Sequence, residues 1–95
     1  MELEGKVKVI NQVQEVSTSF KKQEFVVTLD GEYPQHILIE FNQDKCSKLD
    51  TVAVGDEVKV SINLRGREWV NPQGESKYFN TIQAWNIEVT KKANF

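Results

Sequence analysis

The stretch NQDKCSKLDTVAVGDEVKVSINL, residues 42–64, changes character halfway along. Its first part lacks period-two alternation and offers a short helix. Asn42 or Asp44 can cap it, Leu49 and Val52 can dock it on a core, and Gly55-Asp56 can turn out of it. Its second part alternates cleanly. Val58, Val60, Ile62 and Leu64 share one face and Lys59, Ser61, Asn63 and Arg65 the other, as in a half-buried strand. No other segment reads as helix, so the place of this one in the order of strands decides the fold.

Towards the N-terminus, Leu3, Val7 and Val9 alternate with Glu4, Lys6 and Lys8. The phase then shifts through Ile10, Val13 and Val16, as expected of a long first strand that bends to serve two sheet edges. In KQEFVVTLD, Phe25, Val27 and Leu29 share a face. Asp30-Gly31 is a hairpin signal, which returns a third strand antiparallel over Tyr33–Phe41. Towards the C-terminus, NPQGES turns the fourth strand into a last one, KYFNTIQAWNIEV. There, Ile82 and Ala84 facing inward would turn Trp85 outward. Ile87 and Val89 would then need a bulge to regain the core, and Trp85 is assigned to packing or a subunit contact.

Three strands, a short helix and two strands predict an all-β protein. The match is a five-stranded OB-fold Greek-key barrel with one short helix between strands 3 and 4. The helix position disfavours an SH3-like barrel. One domain is expected over residues 1–90, with a frayed tail at 91–95.

Composition narrows the function. No apolar run approaches the roughly 20 residues of a membrane span, and MELEGKVKV lacks the order of a signal peptide, so a cytoplasmic protein without membrane contact is expected. Cys46 and His36 are the only residues of their types, too few for a disulfide or a Cys/His zinc site within the chain. Cys46 reads as a packed thiol and His36 as a strand residue. Asp56 and Glu57, as neighbours, point to opposite faces of a strand, and no phosphate loop, triad order or metal cluster is legible. The expectation is a non-enzyme with no cofactor and no small-molecule substrate.

The net charge of −2 rules out a bulk polycation, but it is unevenly spread. Residues 1–47 carry five basic against eight acidic side chains, and residues 48–95 seven against six. The basic residues gather with aromatics around one hairpin, NLRGREWVNPQGESKYFNTIQAW, residues 63–85. Alternation puts Asn63, Arg65, Arg67 and Trp69 on the face opposite the apolar one, and Lys77, Tyr78 and Phe79 follow across the turn. Only one of Tyr78 and Phe79 can share that face. Guanidinium groups beside an indole suit single-stranded nucleic acid, since any base can stack on the ring while the cations meet phosphates. Lys21 and Lys22 can extend the phosphate path. The same residues also suit a protein hot spot, so a protein-interaction module is the alternative.

Residues 54–87 resemble the second half of a bacterial single-stranded DNA-binding protein. The resemblance is carried by Gly55, Val58, Val60, Leu64, Arg67, Trp69, Gly74, Lys77, Tyr78, Ala84 and Ile87. Nearly the whole chain is similar to the DUF3127 family of small bacterial proteins found in Bacteroidetes, through KQEFVV (22–27), YPQ (33–35), NLRGREW (63–69) and YFNTIQAW (78–85). The resemblance implies stacking by Trp69 and Tyr33, with Arg67 and Lys77 beside the DNA path. It implies single-stranded DNA or RNA as partner and a homo-oligomer, dimer or tetramer. Three departures matter. Asp30-Gly31 replaces a long basic loop, Ile62 stands where the pattern has glycine, and Ile39 and Phe41 straddle the position of a further aromatic. Weaker, salt-sensitive binding is therefore expected.

Overall fold

The computed structural model describes residues 1–93. It contains β1 (Glu2–Ile10), β2 (Gln14–Ser17), β3 (Phe20–Leu29), β4 (Gln35–Asn42), a 3₁₀ helix (Gln43–Leu49), β5 (Glu57–Val70) and β6 (Ser76–Lys91). One sheet runs in the order β1-β5-β6-β4-β3-β2, and a further β1–β3 pairing closes it into a ring. This is the expected OB barrel, with the helix between its third and fourth ring strands.

The ring closes because β1 is shared. Glu2–Lys6 pair with Ser61–Glu57 of β5, and Lys6–Ile10 pair with Thr28–Phe25 of β3 through a register shift between Val7 and Val9. Near the handover sits Gly5, where a Cβ would collide with the Thr28 carbonyl oxygen and with Val27 Cγ1. Only glycine lets the two backbones approach this closely.

The core is the inward phase of each strand. Val7, Phe25, Val27, Ile39, Phe41, Val58, Val60, Ile62 and Ala84 are buried, and Cys46, Leu49 and Val52 close the barrel bottom from the helix and the segment after it. Phe25 and Phe41 stack at 5.5 Å between centroids and 12° between planes. Cys46 donates to the Phe41 carbonyl at 3.4 Å, and burial pushes its thiol pKa up, in keeping with a packed thiol.

Asp56 is the buried charge of the barrel. Its carboxylate accepts from the Ala93 amide at 2.8 Å, the Ala53 amide at 2.9 Å and Lys92 Nζ at 3.1 Å. The amides of Ala93 and Ala53, helped by Lys92, hold the carboxyl below the usual carboxylate range against the opposing effect of burial.

Several expectations are corrected. The first strand is broken at residues 11–13, and its far end, β2, pairs with β3 as a separate short hairpin. Tyr33 does not open a strand. It lies in the β3–β4 loop, because Pro34 has no N–H for the ladder and β4 begins only at Gln35. Asn42 sits at the helix N-cap position without a side-chain cap bond, its amide being engaged by Glu40 and Gln83. Leu64 keeps the inward phase but is 63% exposed, because nothing covers that part of β5. Lys91 belongs to β6, and Lys92 and Ala93 are bound to Asp56, so these residues are not frayed. The rest of the expected tail lies outside the described residues. The bulge after Ala84 is present: Ile62 faces Ala84 and Ser61 faces Asn86, leaving Trp85 unpaired and 47% exposed while Ile87 and Val89 pack against the core.

Gly5→Ala should destabilise the fold by about 1 to 3 kcal/mol through overpacking, read as a lowered urea midpoint. Asp56→Asn should lower Tm near neutral pH. A carboxyl with a depressed folded pKa stabilises above its unfolded value of about 3.9 and loses that contribution as pH falls through the folded pKa. The Tm gap between the native chain and Asp56→Asn should therefore close in acid; a gap independent of pH would show that the charge of Asp56 is not what matters.

Candidate nucleic-acid interface

Beyond Ile62 the β5–β6 hairpin leaves the barrel as an arm in which residues 63–80 are exposed, apart from the half-buried Asn71 in its turn. Gly74, with φ of 82°, supplies the left-handed position of that turn, and Asn71 Oδ1 accepts from the amides of Gln73 and Glu75. The arm explains the extended shape. The radius of gyration is 15.0 Å, against about 13 Å for a compact chain of this size.

Register fixes which side chains share the arm's outer face. Asn63 lies opposite Gln83, Arg65 opposite Thr81, Arg67 opposite Phe79 and Trp69 opposite Lys77. The alternation expected for Asn63, Arg65, Arg67 and Trp69 is thus present, and Phe79 is the aromatic that joins them. Tyr78 pairs with Glu68 and points to the other face. Arg67 lies over the Phe79 ring at 5.5 Å from its centroid, a cation–π contact across the ribbon.

A hydrogen-bonded chain crosses three strands beside this pair. Arg65 Nε donates to Gln83 Oε1 at 2.9 Å. With its amide turned to satisfy both neighbours, Asn42 accepts from Gln83 Nε2 at 2.9 Å and donates to a Glu40 carboxylate oxygen at 2.6 Å. The chain fixes the plane of the Arg65 guanidinium through Nε and leaves its two Nη groups available for an acceptor. It also engages the Glu40 carboxylate, which the β3–β4 register places opposite Glu24. Among the described residues the ion pairs are Lys59–Glu2 at 3.6 Å and Lys92–Asp56 at 3.1 Å, so neither Arg65 nor Arg67 is neutralised by Glu68 or Glu75.

The arm's outer face and the barrel wall form an open groove of about 620 Å³. Lys22, Arg65, Arg67 and Phe79 line it, together with Val16, Phe20, Glu40, Asn42, Asn80, Thr81 and Gln83. Of the residues singled out from the sequence, four are thereby brought together. Asn63 flanks them, and Trp69 and Lys77 continue the same face towards the arm's tip. Tyr33, 77% exposed in its loop, and Tyr78 do not line the groove. Lys21 faces the opposite way from Lys22 and lines a smaller depression with Ser17, Ser19 and Gln43.

Phe20 is the residue that sequence reasoning missed. Because Phe25 and Val27 point inward, the even phase of β3 points outward, and that phase holds both Lys22 and Phe20. The same reasoning on β4, where Ile39 and Phe41 point inward, would have found Glu40 and Asn42.

The closed ring, the helix between β4 and β5 and the long β5–β6 ribbon define an OB-fold barrel with a projecting arm. The chain belongs to the family described as a domain of unknown function, DUF3127, whose model matches residues 2–88. Among solved structures it is similar to the mitochondrial single-stranded DNA binding protein Rim1 of S. cerevisiae. The TM-score is 0.72 at 12% identity, with 98% of this chain and 95% of that chain covered. It is also similar to the dimeric N-terminal domain of the PriB protein from Thermoanaerobacter tencongensis, with a TM-score of 0.69 at 20% identity over 97% of this chain and 96% of that one. No curated protein matches the chain. At such identities the likeness is one of fold.

Both tryptophans should be open to acrylamide in the free protein, Trp69 at 45% exposure and Trp85 at 47%. Trp85→Phe should change stability by no more than about 0.5 kcal/mol, as for a surface site, leaving Trp69 as the sole reporter on the arm. A blue-shifted, unquenchable Trp69 would contradict the geometry of the arm.

Proposed function

We propose that the protein is a non-enzymatic OB-fold module that binds single-stranded nucleic acid, DNA in the first place, along the groove and the outer face of the arm. The observation that carries this reading is a run of cations without ion pairs beside aromatics: Lys22, Arg65 and Arg67 with the exposed Phe79 and the half-buried Phe20. Bases stack on Phe79 and on Trp69 farther along the ribbon, while Arg65 Nη groups, Arg67 and Lys22 meet phosphates. Lys77 and Asn63 extend the path on the same face. Tyr33, Tyr78 and Lys21 lie off the groove and serve only strand that wraps beyond it.

Two further points support the reading. The S. cerevisiae neighbour of the same fold is described as a single-stranded DNA binding protein. The protein-docking alternative is favoured by arginines neutralised by Glu68 and Glu75, and neither acid is paired with them. The reading includes self-association, in keeping with the dimer described for the PriB domain.

The test is a titration with a dT oligomer of about 30 nucleotides, following Trp69 fluorescence in a Trp85→Phe background. Saturable quenching is expected, with affinity falling against log salt at a slope of about −0.7 for each cation neutralised. Phe79→Ala should lose about 1 to 3 kcal/mol of stacking, and Arg67→Ala should both weaken binding and flatten the salt slope. Absence of binding at low salt would sink the reading, and tight binding indifferent to salt would deny the cations their role.

A further inference from the structure

The arm carries a second feature that the groove does not use, the outer edge of β6. From Ser76 to Lys91 this strand is laddered to β5, but on its other side it meets β4 only at Glu40 opposite Gln83. Alternate residues of Ser76–Ile82 therefore turn their N–H and C=O groups away from β5. No other backbone hydrogen bond among the described residues reaches that edge. Next to it, β4 and β6 splay apart around a gap of about 490 Å³ whose lining includes Ile37, Leu38, Ile39 and Ile82.

An open edge is a template for another strand unless something protects it. The edges of β1, β2 and β5 are protected, whereas β4 borders the same gap with an edge that meets β6 only at Glu40. β1 is used by β5 and β3 in turn and carries Glu2, Glu4, Lys6 and Lys8. β2 spans only four residues and contains Glu15. The β5 side of the arm has Arg65, Gly66, Arg67 and Glu68 in succession. By contrast YFNTIQAW, residues 78–85, has no charge, no proline and no glycine, and it is rich in aromatic and β-branched side chains; within the Ser76–Ile82 edge Lys77 alone is charged.

We propose that the Ser76–Ile82 edge of β6 pairs antiparallel with the same edge of a second copy of this chain. The occupant is a second copy because an antiparallel edge is self-complementary about a two-fold axis perpendicular to the sheet, so identical registers satisfy both chains at once. The pairing turns two projecting ribbons, each marginal as a lone two-stranded unit, into one four-stranded sheet. Such an axis keeps like faces on one side, so Arg67, Phe79 and Trp69 of both copies form a single surface. The proposal specifies the self-association included in the proposed function and rests on that part of it. It does not depend on nucleic acid.

The native chain, free of nucleic acid, is measured by light scattering and by amide hydrogen exchange at two concentrations. The expected result is a species of twice 10.9 kDa in which alternate amides of Ser76–Ile82 exchange slowly, with protection lost on dilution. A monomer at NMR concentration overturns both the pairing and the self-association. A dimer whose protection maps to β1 or to residues 63–70 overturns this edge alone. Oligonucleotide binding with unprotected β6 amides leaves the groove standing without the pairing.

Discussion

The fold depends on one strand belonging to two neighbours. β1 gives its first half to β5 and its second half to β3, and the handover closes the sheet into a barrel. The crossing brings Gly5 against the Thr28 carbonyl, where no side chain fits. A closed ring has an inside of fixed capacity, filled by one buried residue at every second position of each strand. β5 and β6 are longer than that inside can use. Past Ile62 and Ala84 their inward phase has nothing to cover it, and the surplus becomes the arm. The candidate site is thus a consequence of strand length as much as of residue type.

The outer surface shows how an acidic chain assembles a local cationic groove. The two arginines are on β5, and the carboxylate of Glu40, which lines the groove, is held by Asn42 at the end of a chain of side-chain hydrogen bonds that starts at Arg65. Two amides, Gln83 and Asn42, stand between acid and guanidinium and separate the two charges while giving each a hydrogen-bond partner. They also fix the Arg65 plane, so less side-chain entropy is lost when its free Nη groups meet a ligand. Arg67 is ordered in another way, by lying on Phe79. Both arginines are preorganised, and neither is neutralised by an ion pair among the described residues.

Much of this was legible in the sequence because period-two alternation is a strict geometric rule. It gave the strand order, the helix, the shared face of Asn63, Arg65, Arg67 and Trp69, and the bulge at Trp85 that brings Ile87 and Val89 home. Alternation tells which face a residue occupies and not whether anything covers that face, so it does not reveal that Leu64 is exposed. The broken first strand had a visible phase shift, but a bend and a break shift phase alike. Tyr33 was misplaced because the Asp30-Gly31 signal outweighed Pro34, whose missing N–H delays the strand to Gln35. The partners Phe20, Asn42 and Glu40 were out of reach of the hairpin's own sequence, since the groove is made by strands that meet only through the closure of the ring.

The two edges of the arm divide its labour. On β5, Arg65, Arg67 and Glu68 make strand addition unfavourable, because an incoming strand would have to bring matching charges. The same arginines, projecting from the face, suit a polyanion, so in the proposed reading protection of the edge and attraction of phosphate come from one set of residues. β6 has no such charges between Tyr78 and Trp85, and its contribution to the outer face is aromatic and hydroxyl chemistry from Phe79 and Thr81. Backbone pairing at an edge leaves both faces of a sheet open, whereas a side-chain contact would cover one of them. Association through β6 is therefore compatible with a ligand on the outer face, and association through that face is not. In the proposed reading, the charge asymmetry of the two strands is what keeps these two uses of one ribbon apart.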